Sequence, residues 1–233
     1  METFPPTHQR FSRAGFTLLV CLIVISFSCK QDTTVGPTVQ PGVDLRGVVP
    51  LTTGSVWHYM KINYSDSAPP DTVLDSIAVG DTTTLNGKLC HNMSGTAVAF
   101  PIANLIWMAS VDASDFSIYV CVSCLASKTP LPQPSNQTGW ETYHILKSPF
   151  SKGTTWMAND RDSTTGLFRV RTTDTTVTVR AGTFAHCTVL SRNYLASDDA
   201  LILAIAPGVG IIKREYSSGF GGDVTELTGY ELR

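Results

Sequence analysis

From Val56 to Glu231 the apolar residues tend to recur at every second position in short runs separated by turn residues. This two-residue period restricts the chain to antiparallel β architectures. Val56 to Ser65 alternates, the stretch from Ser67 to Pro70 breaks the pattern, and Thr72 to Val79 resumes it. Asn86-Gly87 stands between TTTL and KLCHNM, a hairpin signal because both positions of a tight two-residue turn need positive φ. Ser117 to Cys124 is a mostly apolar, β-branched run, followed by a Pro-rich surface loop from Thr129 to Gln137. Leu167 to Thr173 and Thr175 to Arg180 read as a strand pair, the second with Val177 and Val179 on one face. Few stretches keep helical spacing. The expected fold class is all-β: an antiparallel β-sandwich or an open or half β-barrel.

Within that pattern one segment occurs twice. Pro50-Leu51-Thr52-Thr53-Gly54-Ser55-Val56-Trp57 recurs as Pro149-Phe150-Ser151-Lys152-Gly153-Thr154-Thr155-Trp156. Each copy reads as a turn feeding a strand: proline presets φ, glycine supplies a backbone position that other residues resist, and tryptophan buries a large surface. The spacing suggests an internal duplication with copies opening near 50 and 149.

The N-terminal residues set the compartment. Arg10 and Arg13 stand against a single Glu2, and Phe16 to Phe27 is apolar apart from Thr17 and Ser26. A charged segment followed by a short apolar run is an export signal. The run is too short for a hydrocarbon core of about 30 Å, which takes about 20 residues to cross. Residues 1–28 are therefore expected to be a signal peptide.

Ser26-Phe27-Ser28-Cys29 resembles a bacterial lipobox, with Ser28 fitting its position, Phe27 bulkier than usual and the aliphatic Ile25 one place early. The resemblance implies a diacylglycerol thioether on Cys29, cleavage before it and acylation of the new amino group. Several acyl chains, at about 0.8 kcal/mol per buried CH₂, make a stable anchor. A plain signal peptide or an uncleaved anchor is the alternative. The first expected partner is thus the membrane, through the lipid. Lys30-Gln31-Asp32 lacks the Asp directly after the cysteine that resembles an inner-membrane retention signal. The expected location is the bacterial envelope at the outer membrane, on either face.

From Cys29 to Gly47 the chain is rich in Thr, Pro, Gly and Gln, with valines that keep no period. Such a segment buries too little to offset its ordering entropy and reads as a tether. A single domain is expected from 48 to 233. Charged residues make up 15% of the chain and the formal charge is −2, so no basic footprint for nucleic acid exists.

A family resemblance covers nearly all of that body. The opening Pro50-Leu51, Gly54, Trp57 and Tyr59, the segment Ala181-Gly182-Thr183-Phe184 and the late Pro207-Gly208-Val209-Gly210-Ile211-Ile212-Lys213 resemble a group of uncharacterised bacterial lipoproteins. The resemblance implies a β-rich fold, such as a half-barrel, and no established activity. The same glycines also read simply as turn chemistry before apolar strands. Lys213 reads as a solvated strand residue, with an anion contact as the alternative.

Cysteine and histidine offer the sharpest chemical alternative. Beyond Cys21 and Cys29 the chain has Cys90, Cys121, Cys124 and Cys187, an even number in an exported protein. Disulfides of Cys121 with Cys124 and of Cys90 with Cys187 are expected ahead of buried free thiols. His91 and His186 adjoin two of these cysteines, so a zinc site can be drawn, but one C-x-x-C without a second pair is a weak metal signal. A redox pair would need a helix N-terminus that this strand-rich region does not offer.

Other motifs carry little. Gly80 to Lys88 departs from a phosphate-binding loop in glycine spacing and in Leu89, where a hydroxyl should stand. Asp160-Arg161-Asp162 and Asp198-Asp199 lack the glycine and terminal glutamate of a calcium loop. A triad built on His58, His144 or His186 would be brought together only by folding. The expectation is a non-enzymatic lipoprotein domain, structural or binding a protein or hydrophobic ligand, with no cofactor, no metal and no catalytic residue. Trp57, Tyr59, Trp107, Trp140 and Trp156 are the first places to look for a binding surface. The rival is a metal-dependent or thiol enzyme, which requires at least three Cys/His side chains to converge.

Overall fold

The structure is a computed structural model that describes residues 43–95, 107–121, 139–161, 164, 166–194 and 198–233. The alternating segments fold into twelve strands. The first six are β1 (Val56–Ser65), β2 (Ala68–Leu85), β3 (Lys88–Ser94), β4 (Trp107–Val111), β5 (Asp115–Cys121) and β6 (Trp140–Lys147). The second six are β7 (Thr155–Met157), β8 (Leu167–Val179), β9 (Gly182–Asn193), β10 (Ala200–Ala206), β11 (Gly210–Ser218) and β12 (Gly221–Glu231). All pair antiparallel in one sheet of order β6-β5-β4-β3-β2-β1-β12-β11-β10-β9-β8-β7. Each strand lies beside its sequence neighbour, and β12 returns to pair with β1, from Val56↔Glu231 to Ser65↔Gly221. The ladder is interrupted only between β6 and β7, which makes a nearly closed twelve-stranded barrel.

Even that seam is bridged. His144 N–H on β6 donates to Ala158 O just after β7 (2.9 Å), and Trp156 Nε1 donates to His144 O (2.9 Å). The barrel therefore consists of two six-strand halves, each opening with one copy of the sequence repeat.

The two copies share the conformation and hydrogen bonds of their glycine turn. Gly54 and Gly153 have φ of +89° and +92°, a region that costs other residues about 1–2 kcal/mol. Gly54 N–H donates to Val79 O (2.8 Å) while Val79 N–H donates to Ser55 O (2.9 Å). Gly153 N–H donates to Val170 O (2.8 Å) while Val170 N–H donates to Thr154 O (2.9 Å).

Among the described residues the barrel interior is packed. One apolar cluster joins Trp57, Tyr59, Trp107, Phe116, Trp156 and Phe168 with inward residues of nearly every strand. On β4 and β5 the alternation separates two faces: Trp107, Ala109, Ile118 and Val120 belong to this core, while Met108, Tyr119 and Cys121 join Leu85, Cys90 and Trp140 in a second cluster on the opposite face. The turn Leu45–Gly47 plugs one end, with Leu45 N–H on Ala113 O (3.2 Å) and Gly47 O accepting from Gly208 N–H (3.0 Å). Leu45, Val48 and Val49 are buried in the core, so the folded body begins before Val48, within the segment expected to be tether. A void of about 40 Å³ remains under this plug, lined by Leu51, Trp57, Met93, Trp107 and Ile118. That is water-sized and far below what a ligand needs.

Two expectations about strands need correction. Leu167 to Thr173 and Thr175 to Arg180 are not a pair but one strand, β8, which pairs with β9 through three register shifts. Threonines at the bulges replace the turn, because no glycine or proline lies between Leu167 and Arg180 to reverse the chain. The break expected from Ser67 to Pro70 does fall between β1 and β2 but is shorter, since Pro69 and Pro70 already lie at the start of β2. The Asn86-Gly87 hairpin forms as its sequence predicts, with φ of 53° and 76°.

Candidate functional site

The densest group of chemically capable side chains lies beside the seam, on the face of β5 that carries Tyr119 and Cys121. Asp115 and Ser117 stand two residues apart on β5 and so share that face. His144 comes opposite Ser117 because the pairing of β5 with β6 shifts by one residue at this point, leaving Ile145 as an extra residue. His144 Nδ1 lies 2.9 Å from Asp115 Oδ1 and 3.0 Å from Ser117 Oγ, and Ser117 Oγ donates to Asp115 Oδ2 at 2.6 Å. The other ring nitrogen, Nε2, lies 3.0 Å from Asp160 Oδ2. Lys88 Nζ adds an ion pair to Asp115 at 3.1 Å. A cleft of about 230 Å³ opens beside the group, lined by Asn86, Lys88, Tyr119, Thr142, His144 and Arg161.

Burial pushes the Asp115 carboxyl up, but bonds from His144, Ser117 and Lys88 outweigh it and hold the carboxyl down at about 2. Burial pushes Lys88 down, and Asp115 and Asp112 outweigh that to raise it.

Serine, histidine and aspartate thus meet, but not in the order that nucleophilic catalysis needs. A triad puts serine on one ring nitrogen and the carboxylate on the other. Here Ser117 and Asp115 share Nδ1, Asp160 occupies Nε2, and the fully buried Ser117 gives its proton to a carboxylate. Both ring nitrogens face carboxylates, Asp115 at Nδ1 and Asp160 at Nε2. The group ties β5, β6 and the segment after β7 together.

The other histidines have separate neighbours. His58 Nδ1 meets Ser76 Oγ at 2.8 Å, and His186, exposed at a positive φ, meets Asp174 at 2.7 Å. Among the described residues no three His, Cys, Asp or Glu side chains are grouped to hold a metal ion.

The expected Cys90–Cys187 disulfide is corrected: both are free, buried thiols. Cys90 on β3 belongs to the cluster with Met108 and Trp140, and Cys187 on β9 belongs to the barrel core. The sheet itself separates them. Burial pushes both thiols up, which leaves them poor nucleophiles. Cys121 is disulfide-bonded, while Cys124 lies outside the described residues, as do Cys29 and the signal segment.

The aromatic residues singled out as a binding surface are interior. Trp57, Tyr59, Trp107 and Trp156 lie in the barrel core, with Trp57 Nε1 bonded to Val209 O (2.7 Å) and Tyr59 Oη to Ile211 O (2.8 Å). Trp140 is buried in the second cluster. Gly80 to Lys88 is strand and hairpin. Asp160 serves His144 and Asp162 lies outside the described residues. Lys213 pairs with Glu215 (2.8 Å) and Glu226 (3.6 Å).

Two buried arginines escape sequence reasoning. Arg214 and Arg192 are each only 3% exposed. Arg214 pairs with Asp223, while Arg192 stacks on Phe168 and Tyr194 and donates to Tyr194 Oη. Burial pushes the Arg192 guanidinium down. The available signal was parity, since Arg214 shares a face with the core residue Ile212.

No family profile matches the chain, and no curated protein does. Among solved structures it is similar to a protein from Parabacteroides distasonis provisionally described as a lipoprotein, at 15% identity and a TM-score of 0.42. It is also similar to a Bacteroides fragilis protein provisionally described as exported with a YmcC-like fold, at 12% identity and a TM-score of 0.45. Each match covers 79% of this chain and 98% of the other.

Proposed function

We propose that the chain is a lipoprotein of the bacterial envelope, anchored through Cys29, whose barrel is a non-enzymatic binding module working through its outer face. The observation that carries this reading is the packed interior: among the described residues, the aromatic residues that could have lined a ligand chamber belong to the apolar core, and the pocket they line there holds about 40 Å³. The polar seam cluster supports it, because its serine and histidine are bonded into a clasp and not poised on a substrate. A membrane is one partner, through the lipid, and the domain's specificity lies in what its outside touches. The outer membrane is the expected site, given the absence of Asp directly after Cys29.

Solvent extraction of the purified protein, followed by mass analysis, tests the filled-barrel reading. The expected result is no stoichiometric apolar molecule beyond the covalent acyl chains. One equivalent of a non-covalent lipid would turn the module into a carrier and defeat the reading.

A further inference from the structure

The two halves share the backbone of their opening turn but differ sharply in charge beside it. In the first half the turn carries Thr53, and Val79, which it bonds, is flanked by Ala78 and Gly80. At the equivalent places the second half has Lys152, and Val170 flanked by Arg169 and Arg171. The first half forms the same turn with a single cation against it, the Arg233 side chain beside Gly54, and with Thr53 Oγ1 donating to Gly80 O at 3.1 Å. Three cations at the second turn are therefore not a requirement of the fold, and three like charges at one turn repel.

Local geometry gathers them. Thr155, Arg169 and Ser191 align across β7, β8 and β9, and β7 stops after three residues, leaving β8 uncovered beyond it. The pairing of β8 with β9 shifts between Val170 and Thr172, so Arg171 is the bulged residue. Lys152, Arg169 and Arg171 are exposed, and among the described residues none has an ion-pair or hydrogen-bond partner. With Ser191 and Asn193 they line an open groove of about 660 Å³. Every other lysine of the described strands β1, β3, β6 and β11 sits within 4 Å of a carboxylate, as Lys61, Lys88, Lys147 and Lys213 do.

We infer that this groove is an anion-binding site for the phosphoryl group of a headgroup-sized phosphate ester. Two guanidinium forks and an ammonium supply charge, and Arg presents paired N–H donors matched to phosphate oxygens. The buried Ser191 and the exposed Asn193 offer neutral hydrogen bonds, and the volume admits the alcohol portion of the ester as well as the phosphate. The inference rests on the reading of a module that works through its outer face.

Titration calorimetry of the full chain in neutral detergent tests it, with glycerol 3-phosphate as the soluble probe and phosphatidylglycerol or phosphatidylcholine micelles as the lipid probes. Arg169→Ala should weaken binding about tenfold, from loss of a charged hydrogen bond, and Arg169→Ala with Arg171→Ala should abolish it. The double variant should melt as the parent does, because both guanidinium groups are exposed. Arginine-dependent binding of glycerol 3-phosphate supports a site for the phosphoryl group itself. Binding of phosphatidylglycerol micelles alone, again arginine-dependent, supports the same chemistry with a lipid as its source. Absence of binding to every probe, or equal binding by the double variant, overturns the inference. An apolar ligand in a solvent extract would defeat the filled-barrel reading without altering these titrations, so the two fail separately.

Discussion

Gly54 and Gly153 occupy the same left-handed conformation in two copies of one turn, each donating its N–H to a valine carbonyl of the next strand at 2.8 Å. A Cβ at Gly153 would meet nothing within 4 Å, so its cost is purely conformational. Gly153→Ala should destabilise the protein by about 1–2 kcal/mol, and Gly153→Asn by less, because asparagine tolerates positive φ. Urea unfolding midpoints check this. A neutral Gly153→Ala would remove the turn from the elements that define the fold.

At the seam, stability should fall in acid. The folded Asp115 carboxyl titrates at about 2 against an ordinary 3.8. A depressed carboxylate stabilises the fold above the unfolded value, and that contribution is lost as pH falls from about 3.8 to about 2. The side chain is 12% exposed, so the full effect applies, about 2 kcal/mol. Asp115→Asn should flatten this part of the pH–stability curve, read by thermal melts across the range.

His144 holds the seam by three bonds, through its backbone N–H, its carbonyl and its ring. His144→Ala removes only the ring contacts and leaves Asp115 without one partner, at a cost of about 2–4 kcal/mol. Hydrogen exchange should then quicken first in β6 and β7, while the β1–β12 ladder stays protected. Ser117→Ala should cost about 1 kcal/mol. Uniform loss of protection around the barrel would show that the seam is not its weakest joint.

Thiol counting separates the cysteine readings. Alkylation of the native protein without reduction should leave Cys90 and Cys187 untouched, since both are fully buried. Alkylation after unfolding should label both. Failure of Cys90 and Cys187 to label in the unfolded chain would restore the disulfide between them.

Much of the fold was legible because β-structure writes itself as a two-residue period with punctuation. Asn86-Gly87 announced its hairpin, and the paired Pro-x-x-x-Gly-x-x-Trp segments announced the openings of the two halves. What failed was long-range. Nothing local in β8 says that a strand can run past its bulges, and Leu45 looks like tether until its burial in the core and its bond to Ala113 O are seen. Cys90 and Cys187 cannot be told apart by face without the sheet. The seam cluster was invisible for the same reason, because Asp115, His144 and Asp160 meet only across strands. Lys152, Arg169 and Arg171 are plain in the sequence, but that they line one groove depends on the pairing of β7, β8 and β9.

Membrane anchoring through Cys29 is the claim on which the functional reading turns, and the intact mass of the protein purified from the membrane fraction tests it most directly. The expected mass is that of a chain beginning at Cys29 with a diacylglyceryl group and an amide-linked acyl chain, and Cys29→Ala should abolish the modification and release the protein from membranes. An unmodified chain cut elsewhere, or one that keeps its first 28 residues, would contradict it.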